Sequence, residues 1–167
     1  MSFSPIPRFS FRSITEISYD FLTGLGVNFL MLDLDNTLVA YSEHTLADEL
    51  RKWAADMVNA GIKLFIVSNS RRKGRVEKFA KTLNIGSVKA ARKPSPSGIL
   101  YAMETSGFSK NESALIGDQV YTDALAANRA GVISIVVRPM NLKNPILALR
   151  YVLESPFRAA ARYKVKK

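Results

Sequence analysis

The stretch Phe29-Leu30-Met31-Leu32-Asp33-Leu34-Asp35-Asn36-Thr37 runs from four consecutive apolar residues into two carboxylates one residue apart. A wholly apolar run this short reads as a strand buried on both faces, as in parallel sheets. Residues i and i+2 of an extended chain share a side, so Asp33 and Asp35 can face one site at the strand's carboxyl end. Read alone, the pair also fits a turn, which Asp-Asn-Thr favours.

Similar runs follow at Leu64–Val67, Ala114–Ile116 and Val132–Val137, with a weaker strand at Ser87–Lys89. Helices fit between them. Leu46, Leu50, Trp53 and Met57 share one helical face, with Gly61 as the stop. Val76, Phe79, Ala80 and Leu83 form a second stripe. Pro96–Ser106 reads as a third helix, with Ser95 as cap and Gly107 after it. Thr122–Ala130 reads as a fourth, with Thr122 as cap and Gly131 as stop. Ile14–Leu25 reads as a helix preceding the first strand. Strand–helix alternation of this kind implies an α/β fold with a five-stranded parallel sheet flanked by helices. We read 1–28 as an N-terminal extension with a short helix, 29–140 as the core and 141–167 as a basic C-terminal helix and tail. Together they make a single domain.

Ligands of such sheets bind at the carboxyl ends of the strands. The chemically active residue types lie there. Asp33 and Asp35 follow the first strand, Ser68 and Asn69 the second, Lys93 the weak third, and Gly117-Asp118 the fourth, with Asp123 five residues on. Carboxylate and carbonyl oxygens suit Mg²⁺, which binds through one or two carboxylates plus substrate phosphate. Lys93 fits a point charge for phosphate. Singly, each has an ordinary structural explanation: a turn Asp, a solvated Lys, a strand-terminal hydroxyl, or an Asp at a helix dipole's positive end.

In combination they resemble the haloacid dehalogenase superfamily of phosphotransferases. Its four motifs match here as Asp33-Leu34-Asp35-Asn36-Thr37, Ser68, Lys93, and Gly117-Asp118 with Asp123, in order and in strand context over 29–137. A closer resemblance is to the YqeG-like, subfamily IIIA phosphatases, through Leu32-Asp33-Leu34-Asp35-Asn36-Thr37-Leu38-Val39, Val67-Ser68-Asn69-Ser70, Lys93-Pro94 and Gly117-Asp118-Gln119-Val120-Tyr121-Thr122-Asp123. That group is related to mitochondrial phosphatidylglycerophosphate phosphatases. The resemblance implies a Rossmann-like fold and Mg²⁺-dependent phosphomonoester hydrolysis through an aspartyl-phosphate. It implies Asp33 as nucleophile and Asp35 as general acid and base. Asp33, Asp118 and the Asp35 carbonyl would hold Mg²⁺. Ser68, Asn69 and Lys93 would bind phosphate, with Lys93 also supporting the charge on Asp33. Thr37 and Asp123 would stand behind these groups.

Members of this superfamily often carry a cap domain after the first or second motif. Asp35 and Ser68 are only 33 positions apart, and Ser68 and Lys93 only 25. A helix and a strand use up each gap, so no cap is expected and the site lies open to a large phosphorylated substrate.

The 167-residue chain has net charge +10, 47% hydrophobic residues, no Cys and one His, His44. The missing Cys excludes disulfides, thiolate metal sites and a thiol nucleophile, and the single His argues against multi-His zinc. The charge is uneven. Residues 71–93 hold nine basic residues and one acid, and 138–167 hold eight and one, leaving the remainder at −5. Clustered cations point to an anionic partner. The tail could contact an anionic phospholipid membrane peripherally, or its helix could pack on the sheet, with Pro156 breaking or restarting it. No transmembrane segment or secretory signal is read, and a cytoplasmic location is expected. A ribosome- or RNA-associated basic protein with weak or secondary phosphatase activity is the alternative. A phosphorylated receiver domain is disfavoured, because its acceptor Asp follows the third strand.

Overall fold

The computed structural model describes residues 4–161 and the main chain of 163–164. Arg162, Lys166 and Lys167 of the expected basic tail, and the side chain of Lys164, lie outside the described residues. Seven parallel strands form one sheet in the order β4-β3-β2-β5-β6-β1-β7. They are β1 (Phe9–Ser10), β2 (Phe29–Leu32), β3 (Lys63–Val67), β4 (Gly86–Val88), β5 (Ser113–Gly117), β6 (Ile133–Val136) and β7 (Tyr163–Lys164). The five expected strands are the contiguous block from β4 to β6. The count of five is corrected to seven because β1 and β7, of two residues each, extend the β6 edge. Two residues are too few for an apolar run to announce a strand.

Alternation along the central strands divides the core into two layers. Leu30 and Leu32 of β2, Leu64 and Ile66 of β3, and Ala114 and Ile116 of β5 face one cluster. Phe29, Met31, Phe65, Val67 and Leu115 face the other. This is the period-two division of a strand buried on both sides. The first layer is closed by α1 (Tyr19–Gly24), α2 (Asp48–Asn59) and α3 (Arg75–Leu83). The second is closed by α4 (Ser97–Ser106) and α5 (Leu125–Ala130). Leu50, Trp53 and Met57 of α2 are buried as the stripe requires, with Leu46 just ahead of the helix. Between β2 and β3 the chain builds only a loop and α2, and between β3 and β4 only α3, so neither interval holds a cap domain.

Three helix readings need correction. Ile14–Leu25 is not continuous: a 3₁₀ turn at Ile14–Glu16 is followed by α1, because Ser18 turns its hydroxyl to the Phe21 N–H and starts a new helix. The third helix starts at Ser97 with Pro96 as its cap residue, although the Ser95 hydroxyl still accepts from the Ser97 N–H. Thr122 does not cap the fourth helix. It lies inside a wide π turn, Val120–Ala124, that precedes α5.

The last helix, α6 (Pro145–Ala159), packs against the π turn and the strand ends. Pro156 does not break it. Proline cannot donate to the carbonyl four residues back, here Val152. The Ser155 hydroxyl donates to that carbonyl instead, at 2.7 Å, and the helix runs on.

Candidate active site

Strand β2 lies between β3 and β5 at the centre of the sheet, so its carboxyl end is flanked by theirs. Asp33 leaves β2, and its N–H still donates to Ile116 of β5. The chain then turns sharply. Asn36 takes φ 65°, a left-handed conformation that Asn tolerates better than most residues. Asp35 and Val39 form a bridge across this turn.

Lys93 sits at the centre of the site and is buried. Its ammonium is 2.6 Å from Asp33 Oδ1 and 2.7 Å from Asp123 Oδ1, and it donates to the Val67 carbonyl at 2.8 Å. The Asn69 side chain positions the Lys93 backbone. It accepts from the Lys93 N–H at 2.9 Å and donates to the Lys93 carbonyl at 2.8 Å, just before the cis Lys93–Pro94 bond. The Asn69 amide is therefore committed to Lys93, and Asn69 borders the pocket.

Asp118 and Thr37 lie beneath. The Thr37 hydroxyl is 3.2 Å from Asp33 Oδ2 and 3.5 Å from Asp118 Oδ1, bridging the two carboxylates. Asp123 is brought in by the π turn, whose extra width lets its Oδ2 accept from the Gln119 N–H at 3.0 Å. Gly117 makes this approach feasible, since a Cβ there would stand 2.3 Å from the Asp123 carboxyl carbon. Asp33, Asp118 and Asp123 each offer an oxygen within 4.8 Å of the others, and all three are buried.

The charge balance is unusual. Three buried carboxylates face one ammonium, and buried charge is costly unless compensated. The titration of the group reflects this. Burial pushes the Asp33 carboxyl up to about 7, against the pull of Lys93 and with the help of Asp123. Burial, then Asp33 and Asp123, raises Asp118 well above the usual carboxylate range. Burial would lower Lys93, but Asp123 and Asp33 outweigh it and hold the ammonium protonated. Once ionised, the three carboxylates offer excess negative charge and hard oxygen donors, which fits a divalent cation.

Asp33, Asp35, Ser68, Asn69, Lys93 and Asp123 all border one open pocket of about 270 Å³, together with Tyr41, Ser70, Arg71, Gln119 and Thr122. Asp35 points elsewhere than the carboxylate cluster. Its Oδ1 is 2.8 Å from Arg75 Nε.

Three arginines outside the motifs organise this region. Arg75 pairs with Asp35 and also donates to the carbonyls of Glu43 and Ala40. Its neighbour Arg72 stacks 3.9 Å over the Tyr41 ring, so the 40–43 loop is tied down twice. One signal could have singled out Arg75: a cation in the first turn of a helix opposes the dipole, which implies a partner outside the helix. Arg158 of α6 donates to the carbonyls of Asp118 and Val137 and pairs with Glu154 at 3.1 Å. Its signal is Glu154, the lone acid of 138–167, placed four residues before it.

Comparison with known proteins places the chain among relatives of known family and fold. Residues 10–131 match the family model described as haloacid dehalogenase-like hydrolase. The chain is 35% identical over 129 residues to a Bacillus subtilis (strain 168) protein named "Probable phosphatase YqeG", covering 77% of this chain and 74% of that protein. In fold it is similar to the 3-deoxy-D-manno-octulosonate 8-phosphate phosphatase of Yersinia pestis, with TM-score 0.55, 16% identity, and coverage of 87% of this chain and 91% of that one. It is likewise similar to an uncharacterized protein from Listeria monocytogenes serotype 4b, with TM-score 0.56, 14% identity, and coverage of 80% and 99%.

Proposed function

Because the chain belongs to the haloacid dehalogenase-like hydrolase family, we propose that it is a phosphomonoester phosphatase working through an aspartyl-phosphate on Asp33. The convergence of Asp33 and Asp123 on Lys93, with Asp118 in the same carboxylate cluster at the carboxyl edge of the sheet, carries this reading. Similarity to the Bacillus subtilis phosphatase supports it.

Asp33 attacks phosphorus as the bond to the leaving oxygen breaks, and Asp35 delivers a proton to that oxygen. Water deprotonated by Asp35 then attacks the aspartyl-phosphate and releases phosphate, restoring Asp33. The covalent intermediate divides one hard displacement into two easier ones. Arg75 engages one oxygen of Asp35, leaving the other for proton transfer. Ser68 and Lys93 bind the non-bridging oxygens, and Lys93 also steadies the charge on Asp33. Asn69 acts by holding the Lys93 backbone. Thr37 keeps Asp33 and Asp118 together, and Asp123 orients Lys93. Mg²⁺ held by Asp33, Asp118 and the Asp35 carbonyl would favour ionised Asp33 and offset its repulsion from an anionic phosphate.

The open, capless site favours a phosphate carried on a large or surface-bound molecule. Phosphatidylglycerophosphate is the substrate we infer, supported by the family relation and the basic surface. A peripheral contact with anionic membrane accompanies it. The test is phosphate release from phosphatidylglycerophosphate vesicles with Mg²⁺, by wild type and Asp33→Asn. Asp33-dependent release is expected. Release from p-nitrophenyl phosphate but not from the lipid would remove the substrate. Release from neither, with tight RNA retention at moderate salt, would favour an RNA-binding protein instead.

A further inference from the structure

Helix α6 has two faces of different character. Leu147, Tyr151, Glu154 and Arg158 follow one another at helical spacing and turn toward the protein. On the opposite side Ile146, Leu149, Val152 and Leu153 are 76%, 61%, 63% and 58% exposed. No described element covers them. Glu154, the one acid between 138 and 161, is buried against Arg158. The outer face therefore presents four aliphatic side chains and no carboxylate; exposed Arg138 and Lys143 lie in the segment leading into the helix, and exposed Arg150 in its second turn.

We propose that this face docks on an anionic phospholipid bilayer, with the aliphatic row entering the boundary between headgroups and acyl chains and the three cations meeting lipid phosphates. An exposed apolar side with cations nearby suits a helix that lies in the interface. Charge complementarity selects the occupant. A second copy on the same patch would set these cations against their own counterparts in a chain of net charge +10. An anionic bilayer offers the opposite sign and an apolar layer together.

The position of the face gives docking a consequence. Met140, in the segment that leads into α6, is a further exposed apolar side chain at 48%. Its N–H donates to the Asn36 carbonyl, and the Asn36 side chain donates to the Asn141 carbonyl, which ties this loop to the Asp33–Thr37 turn. A cavity of about 400 Å³, bordered by Arg12, Thr37, Leu50, Arg138, Met140 and Leu142, opens alongside. Arg150 meanwhile donates to Gln119 on the wall of the catalytic pocket. Docking would bring lipid headgroups beside both openings. This consequence rests on the proposed phosphatase reading, whereas docking itself does not.

Flotation of the full chain with vesicles tests the proposal. Phosphatidylcholine vesicles, with and without about one-third phosphatidylglycerol, are compared across a salt series. Binding to the anionic vesicles alone is expected, weakening with salt. Leu149→Glu with Val152→Glu should lower it roughly tenfold or more, because both charges would enter the apolar boundary. Both positions are solvent-facing, so melting temperature and hydrolysis of p-nitrophenyl phosphate should stay at wild-type values. Absence of vesicle binding, or binding unchanged by the double substitution, would overturn the proposal. So would a wild-type dimer that the substitutions convert to monomer without vesicle binding. Vesicle binding that responds as expected in a protein inactive on p-nitrophenyl phosphate would leave docking standing and sink the phosphatase reading alone.

Discussion

Arg75 Nε lies 2.8 Å from Asp35 Oδ1, and the Arg75 side chain is almost wholly shielded from solvent. Its remaining nitrogens hold the Ala40 and Glu43 carbonyls, so one guanidinium fixes both Asp35 and the loop beside the pocket. Lysine has no planar fork with which to reproduce this. Arg75→Ala should cost about 3 kcal/mol of stability, the lower end for breaking a buried pair, because Asp35 is partly exposed. It should lower kcat roughly tenfold or more with little change in KM, and Arg75→Lys should recover only part. Urea denaturation and steady-state kinetics on p-nitrophenyl phosphate check this. A fall in stability alone, with kcat intact, would reduce Arg75 to a structural residue.

The raised Asp33 carboxyl predicts how pH and metal act together. Its ordinary value is 3.8, and in the folded protein it stands at about 7. Folding therefore takes up a proton in this window. The stabilisation is complete below about pH 4 and is lost as pH rises through about 7. Asp118 acts in the same direction. A divalent cation replaces those protons, so Mg²⁺ should raise the melting temperature little at pH 5 and distinctly more at pH 8. Asp118→Asn should shrink the difference. Calorimetry with Mg²⁺ and with chelator measures it, and equal increments at both pH values would count against the cluster as the metal site.

Gly117 should not tolerate a side chain. The Cβ of Gly117→Ala would need the space of the Asp123 carboxyl, 2.3 Å away. Asp123 would have to swing off Lys93, and overpacking of this kind costs about 1–3 kcal/mol. Activity should fall with it, since Lys93 loses the partner opposite Asp33. Gly131→Ala is a useful contrast: unlike Gly117 it carries positive φ, and its nearest obstacle is a flexible lysine stem at 3.6 Å. It should lose stability through strain and keep activity.

Arg158 joins α6 to the strand ends that carry Asp118 and Val137. Arg158→Met leaves Glu154 buried without its cation and should cost about 3–5 kcal/mol. Adding Glu154→Gln should return part of that loss, so the two substitutions should be non-additive. A double-mutant cycle by chemical denaturation reads the coupling. Strict additivity would show that the pair does not act as a unit.

The central strands were legible because burial on both faces forces continuous apolar runs, and 29–32 and 64–67 are such runs. The positions of Asp33, Ser68, Lys93 and Asp118 followed, because a parallel sheet delivers whatever trails its strands to one edge. The sheet's far edge was not legible, since β1 and β7 are too short to carry periodicity. The π turn was hidden for a different reason. Thr122-Asp123 looks like a helix cap, and only the pull of Gln119 and Lys93 on Asp123 moves the start of the helix.

By itself the sequence determined the parallel α/β layers, the absence of a cap and the set of residues gathered at the strand ends. These depend on local apolar runs and chain length, which are readable one segment at a time. The tertiary structure decided which charges meet. It chose Arg75 for Asp35 out of a chain rich in cations, set Arg158 against the Asp118 and Val137 carbonyls, and committed Asn69 to the Lys93 backbone. It also left the aliphatic side of α6 facing outward. Such choices depend on distances between residues tens of positions apart, and no local pattern encodes them.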